Sequence, residues 1–322
     1  MLLQVHHETK LSYTDAVSET VLEVRMAPPS DEDQTNLGYR LKVSPNAQVT
    51  SYRDGAGNRV DLFNLLVPYR ELTIRATTIV RTHRRSAIER LAGIPWPDIN
   101  DPVAIEALEY LAPSGLVNQS EMLDKFIAGL ERPTGLLTNG IFTLMDAVRL
   151  RLKYEKKVTT ARTPVGEALE LGRGVCQDFA HLFLGSARGL GLPARYVSGY
   201  VHGPGELATH AWCQFWCDAV GWVDVDPTRG LFVADDHVVI GVGRDFLDVP
   251  PNRGVWKGKA DETISVAVQV DAIDRMPPDW AEWPIQAPWS PYSVTVSQTQ
   301  KRKSGPAIQN GYRQQQSQQQ QN

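Results

Sequence analysis

The sequence predicts an α+β fold, and three observations carry that prediction. Up to about residue 85, short segments alternate apolar and polar residues between regular turn signals. From about 100 to 155, apolar residues recur at helical spacing. From about 163 to 272, one more apolar helix precedes a β-hairpin pattern. The chain has 322 residues, enough for two compact domains or for one with a tail.

The first region, 1–85, predicts a small N-terminal antiparallel β domain of sandwich type. Val21, Glu23 and Arg25 alternate with Leu22, Val24 and Met26, and similar segments surround Leu41–Val43 and Leu72–Ala76. Ala27-Pro28-Pro29-Ser30, Ser44-Pro45-Asn46 and Asp54-Gly55-Ala56-Gly57-Asn58 supply the turns. His6 and His7 lie in the first strand, one facing in and one out, and lack the Cys, Asp or Glu spacing of a metal site.

The second region, 86–160, reads as a helical linker. Asp101-Pro102 predicts a capped helix start, with Ala104, Ala107, Leu108 and Leu111 following. A second helix is expected over Asn118–Leu130. A third is expected over Thr138–Tyr154, with Ile141, Leu144, Met145, Val148 and Leu152 on one stripe.

The third region, 161–274, holds the chemistry. Gly172-Arg173-Gly174-Val175 leads into Cys176, after which Phe179, Ala180, Phe183, Leu184 and Ala187 mark a buried helix face. Gly189 and Gly191 end that helix. Cys176 is therefore placed in a first helical turn, where unpaired N–H groups and the helix dipole favour a thiolate and can hold an oxyanion. The glycines imply that something approaches the backbone closely. A thiolate nucleophile needs a base and a group to orient it. His210 opens one strand of a hairpin and Asp226 closes the other, so pairing brings these ends together. Asp224 lies two residues from Asp226 on the same sheet face, and spacing alone does not choose between them.

The order GRGVCQDFAHLF, GLPARYVSGY, HAW and GWVDVDPTRG resembles the bacterial transglutaminase-like superfamily. The N-terminal region, with HHETKLSYTDAV and DGAGNRV, is similar to the domain preceding that core, and Thr263–Val270 fits its terminal strand. The resemblance covers roughly residues 1–272. It implies a papain-like transglutaminase core, with the Cys helix packed on an antiparallel sheet. It also implies Cys176 as nucleophile, His210 as base and Asp226, rather than Asp224, as the orienting carboxylate. Gln214 departs from the family pattern, where many members carry Glu. The implied activity is cysteine acyl transfer on peptide or glutamine side-chain amides through a thioester, with hydrolysis favoured over amine transfer. The alternative is a binding or scaffold protein that keeps the fold without turnover.

Other residues read as structural. Cys213 and Cys217 lie on the strand face opposite His210 and make a poor metal site. His181 and His237 show no matching partners. Arg195 and Tyr200 suit packing and substrate-facing roles equally. Trp212, Trp216 and Trp222 suit the core better than an amine-binding slot.

The net charge of −4 gives no reason to expect nucleic acid, and Lys301-Arg302-Lys303 is a weak signal for it. No apolar run reaches the roughly 18 residues of a membrane span, and the N-terminus lacks signal-peptide character. Three cysteines form no disulfide framework, which favours a reducing compartment. The expectation is a cytoplasmic enzyme without cofactor or metal, acting on a protein or peptide. The final region, 275–322, is rich in Pro and Trp, then Gln, and its end is expected to be disordered and dispensable for folding.

Overall fold

The computed structural model describes residues 1–203 and 209–281. Five strands open the chain: β1 (Leu2–Val24), β2 (Gln34–Ser44), β3 (Val49–Arg53), β4 (Arg59–Leu65) and β5 (Tyr69–Thr82). β1 is 23 residues long because it serves two layers. Its first half pairs with β5 as far as Ser12, and after an irregularity between Ser12 and Val17 its second half pairs with β4. Such a break bends a strand and increases its twist. The two halves close over Leu11, Tyr13, Leu22, Phe63, Leu72 and Ile74, giving a curled, sandwich-like sheet.

Two late strands, β13 (Asn252–Lys257) and β14 (Glu262–Ala272), return to this sheet and pair with β1. In sequence they fall within the 161–274 region. Their placement follows from period-2 patterning: Ile264, Val266, Val268 and Val270 face Leu11, Thr9, His7 and Val5 on β1.

The helices that follow are shorter than the sequence suggests. α1 is Ala87–Arg90 and α2 is Ile105–Leu108. Asp101 caps no helix; its carboxylate instead accepts the Asp98 N–H at 2.8 Å in a turn. α3 (Glu121–Ala128) starts after Ser120, whose hydroxyl accepts the Leu123 N–H. α4 (Leu137–Arg151) buries Ile141, Leu144, Met145 and Val148 as one stripe. The two-residue β6 (Lys153–Tyr154) follows. α5 (Val165–Leu171) ends at Gly172, whose φ of +65° is the left-handed conformation that glycine tolerates best. β7 (Arg173–Gly174) pairs with β6 and leads directly into α6 (Cys176–Gly189).

α6 is the central helix, with Phe179, Ala180, Phe183, Leu184 and Ala187 all buried. It packs on a five-stranded sheet ordered β11-β10-β9-β8-β12, made from β8 (Ala194–Val201), β9 (Thr209–Cys217), β10 (Gly221–Asp226), β11 (Leu231–Phe232) and β12 (His237–Gly243). Ala211, Cys213, Phe215 and Cys217 face the helix. The opposite face buries Val197, Trp212, Val239 and Val242.

The edge strand β12 meets the N-terminal sheet through two side-chain amides. Gln34 donates to the Val239 carbonyl and accepts its N–H, both at 2.9 Å, and Asn58 does the same for Val242, both at 2.8 Å. Leu3, Val5 and Val80 pack there against Tyr200, Val238 and Ile240. His6 is exposed and His7 buried, the latter bonded to the Tyr200 hydroxyl at 2.5 Å.

α7 (Pro278–Ala281) brings Trp280 against Gly38, with the Arg40 guanidinium 4.0 Å from the ring centroid. The remaining tryptophans Trp283 and Trp289 and the glutamine-rich end lie outside the described residues. Among the described residues, no helix is long and apolar enough to cross a membrane.

Gly199 on β8 is tightly enclosed: a Cβ there would lie 2.2 Å from the Trp212 ring and 2.3 Å from the Val238 carbonyl oxygen. Gly199→Ala should therefore lower stability by about 1–3 kcal/mol, the usual cost of overpacking. Denaturant unfolding checks this, and an unchanged midpoint would show that β8 can move aside.

Candidate active site

The helix start at Cys176 is built by Asp178. Its carboxylate accepts the Val175 N–H and the Thr159 hydroxyl, both at 2.7 Å, and so closes the first turn. Burial raises its pKa to about 6. Gly174 must be small because a Cβ would lie 2.3 Å from that carboxylate. The glycines before the cysteine thus accommodate an intramolecular contact and the end of α5. Cys176 and Gln177 are the first residues of α6, so their N–H groups have no intrahelical acceptor. Cys176 itself is buried, and all three cysteines are free.

The hairpin positions the other two residues. Register pairs Val225 with Cys213 and Asp224 with Gln214, which puts Asp226 two positions from direct opposition to His210. That diagonal is short enough for His210 Nε2 to bond Asp226 Oδ2 at 2.7 Å, with both side chains excluded from solvent. The other carboxylate oxygen, Oδ1, accepts the N–H groups of Thr228 and Arg229 at 3.0 and 3.1 Å. Asp224 is engaged elsewhere: it accepts Trp212 Nε1 at 2.7 Å and Gln214 Nε2 at 2.9 Å. Gln214 also accepts from Arg195 at 2.8 Å. An amide suits this position because it donates to one neighbour and accepts from the other; a glutamate would face Asp224 as a like charge. Arg195 stacks on Trp222 at 4.0 Å, so it packs and orients rather than facing a substrate.

The electrostatics form an ion pair. Burial alone would lower the His210 pKa, but the Asp226 charge, then that of Cys176, and the hydrogen bond to Asp226 outweigh it and raise it to about 10. Burial would raise the pKa of Asp226; His210, with smaller help from His237, holds it below the usual carboxylate range instead. Cys176 is near enough to act on the imidazole, while His210 Nδ1 has no partner at hydrogen-bonding distance. The thiol and ring must therefore close up for proton transfer, as is common before a substrate is bound.

Two neighbours went unread in the sequence. Tyr154 lies beside the thiol: burial and then the charges of Cys176, Asp178 and Asp226 raise its pKa. With Phe179, Leu152 and Thr228 it lines an open cleft of about 630 Å³. His237, for which the sequence suggested no partner, sits between Asp226 and Asp236 at 3.4 and 2.8 Å. The signal was the Asp236-His237 pair opening a strand shortly after Asp226, but only tertiary pairing aims it. His210, Asp226 and His237 each offer a ligand atom within 4.8 Å of the others, a spacing at which a metal ion can be held. The short His210–Asp226 bond would have to be given up to admit one.

The remaining candidates are structural. His181 is buried, and burial lowers its pKa to about 4. Cys213 is buried behind α6, which raises its thiol pKa. Trp212 is buried, and Trp216 and Trp222 pack edge to face at 5.2 Å by the hairpin turn, away from His210.

Comparison with known proteins agrees with this architecture. Residues 122–227 match the model of the transglutaminase-like superfamily, and residues 3–81 match the bacterial transglutaminase-like N-terminal region. An uncharacterized protein of Mycobacterium leprae is 30% identical over 283 residues, covering 84% of this chain and 99% of its own length. One from Mycobacterium tuberculosis is 31% identical over 305 residues, covering 84% of this chain and 92% of itself. The solved structure of a candidate cysteine protease from Cytophaga hutchinsonii superposes with a TM-score of 0.69 at 21% identity, over 86% of this chain and 93% of its own. That likeness shows a shared fold.

The ion pair has a pH signature. A histidine whose pKa rises on folding stabilises fully below its ordinary value of 6.5, and that stabilisation is lost progressively as pH climbs to about 10. The folded protein should therefore lose more stability between about pH 7 and 10 than a His210→Gln variant does. Denaturant midpoints across that range check this; parallel profiles would show that His210 does not hold a proton in the fold.

Proposed function

Because the chain belongs to the transglutaminase-like superfamily, we propose that it is a cysteine acyl-transfer enzyme acting on peptide or glutamine side-chain amides. Cys176 Sγ bonds to the amide carbonyl carbon, and the first N–H groups of α6 stabilise the oxyanion. The C–N bond breaks as His210 gives its proton to the leaving amine, which leaves a thioester on Cys176. Water then attacks the thioester, loses a proton to His210 and releases the acid and the Cys176 thiolate, which restores the ion pair. Asp226 keeps the ring oriented and stabilises the imidazolium.

The observation that carries this reading is the fully buried His210–Asp226 pair beside a cysteine at a helix start. An isolated structural cysteine has no use for such a partner. The cleft at Tyr154, Phe179 and Thr228 supports entry for a peptide or side chain. We favour water over an amine as acceptor. Crosslinking requires a site that excludes water, but this cleft is open, and Trp216 and Trp222 lie by the hairpin turn.

Cys176→Ala should abolish turnover and leave the fold intact, while Cys213→Ala and Cys217→Ala should show little beyond a stability effect. The assay is a glutamine-containing donor peptide with a labelled primary amine. Ammonia release without label incorporation is expected; efficient incorporation at modest amine concentration would establish a transferase instead, and turnover by Cys176→Ala would remove the nucleophile assignment.

Asp226→Asn should cost several orders of magnitude in the same assay, since loss of an orienting carboxylate costs roughly 10⁴ in the serine-protease counterpart. Asp224→Asn should cost far less, because its bonds go to Trp212 and Gln214. A larger effect at Asp224 would reverse the two roles.

A further inference from the structure

We propose that His237 is a positioning residue of this site: by donating to Asp226 it fixes the carboxylate and takes up part of its negative charge, so that His210 can release its proton to the leaving amine. The inference rests on the acyl-transfer reading above.

His237 is fully buried at the start of β12. Its Nε2 lies 3.4 Å from Asp226 Oδ2, the same oxygen that His210 uses. Its Nδ1 lies 2.8 Å from Asp236 Oδ1, and the other oxygen of Asp236 accepts from Arg229 at 2.9 Å. The Trp212 ring meets the imidazole edge to face at 5.1 Å and sets its plane. The groups facing this ring are thus Asp226 from β10, Asp236 beside it, and His210 and Trp212 from β9.

Ionised carboxylates only accept hydrogen bonds, so a ring serving both Asp226 and Asp236 donates from both nitrogens. A phenyl ring would fill the same volume, but it would supply neither a donor nor a charge. The donor matters because Asp226 must not hold the His210 proton too tightly. A carboxylate paired with one imidazolium in a buried site binds that proton strongly and resists losing its counter-ion when the leaving amine takes it. With His237 on the same oxygen, Asp226 keeps a partner throughout the cycle.

The test is the pH profile of Cys176 alkylation by iodoacetamide in the full-length protein, read by peptide mapping, so no substrate is required. His237→Gln keeps one donor and loses the charge; His237→Phe loses both. Removing the charge should move the upper limb of the profile, where His210 loses its proton, to higher pH by about one unit, the lower end of what a charge within roughly 4–6 Å produces. His237→Gln should also lower turnover of the donor peptide roughly tenfold with KM little changed. If the Phe variant does not fold, the Gln variant alone gives the readout. A limb unmoved or shifted downward in folded variants overturns the proposal and leaves the acyl-transfer reading standing. A wild-type Cys176 that is not preferentially alkylated at mildly acidic pH overturns both.

Discussion

The carboxylate of Asp226 is excluded from solvent, and a buried ionised acid persists only if its oxygens are supplied with donors. Here all four acceptor sites are used: Thr228 and Arg229 backbone on Oδ1, His210 and His237 on Oδ2. The four donors come from three pieces of architecture. The tight turn after β10 supplies the two N–H groups, β9 supplies His210, and β12 supplies His237. The order of the sheet, with β9 beside β10 and β12 beyond β8, is therefore tied to the needs of one side chain. A shift of one residue in the β9–β10 register would turn His210 to the helix side of the sheet and take it from Asp226.

A second buried acid shapes the other half of the site. Asp178 closes the first turn of α6 and requires Gly174 to lack a side chain. Between them these two acids hold the helix start and the hairpin in place. The network of Arg195, Gln214, Asp224 and Trp212 stiffens the hairpin, and its Trp212 ring stacks beside His210.

Much of this was legible from the residues. The apolar spacing after Cys176 marked α6, the alternation on both sides of Asp218–Gly221 marked the hairpin, and the four motifs in order implied Cys176, His210 and Asp226. What was not legible depends on contacts distant in sequence. His237 finds Asp226 only because β12 pairs with β8, a crossover that no local pattern announces. The glycines before Cys176 signalled a close approach correctly, but the approaching group, Asp178, lies only four residues from Gly174. β13 and β14 have ordinary strand patterns, and nothing local says that the free sides of β1 will claim them. Asp101-Pro102 had every local feature of a helix start, yet a turn centred on Asp98 used the aspartate first.

The paired amides of Gln34 and Asn58 imitate a neighbouring strand: each offers one donor and one acceptor to a residue of β12, as a backbone would. An open sheet edge ordinarily invites an extended polypeptide to add itself by backbone pairing, a common way of capturing peptides and a common route to aggregation. Here Val239 and Val242 are already satisfied by side chains whose length and spacing fit this edge alone. At these two residues β12 offers no free backbone group as a template. Strand addition to this sheet is thereby left to its opposite edge, the two-residue β11.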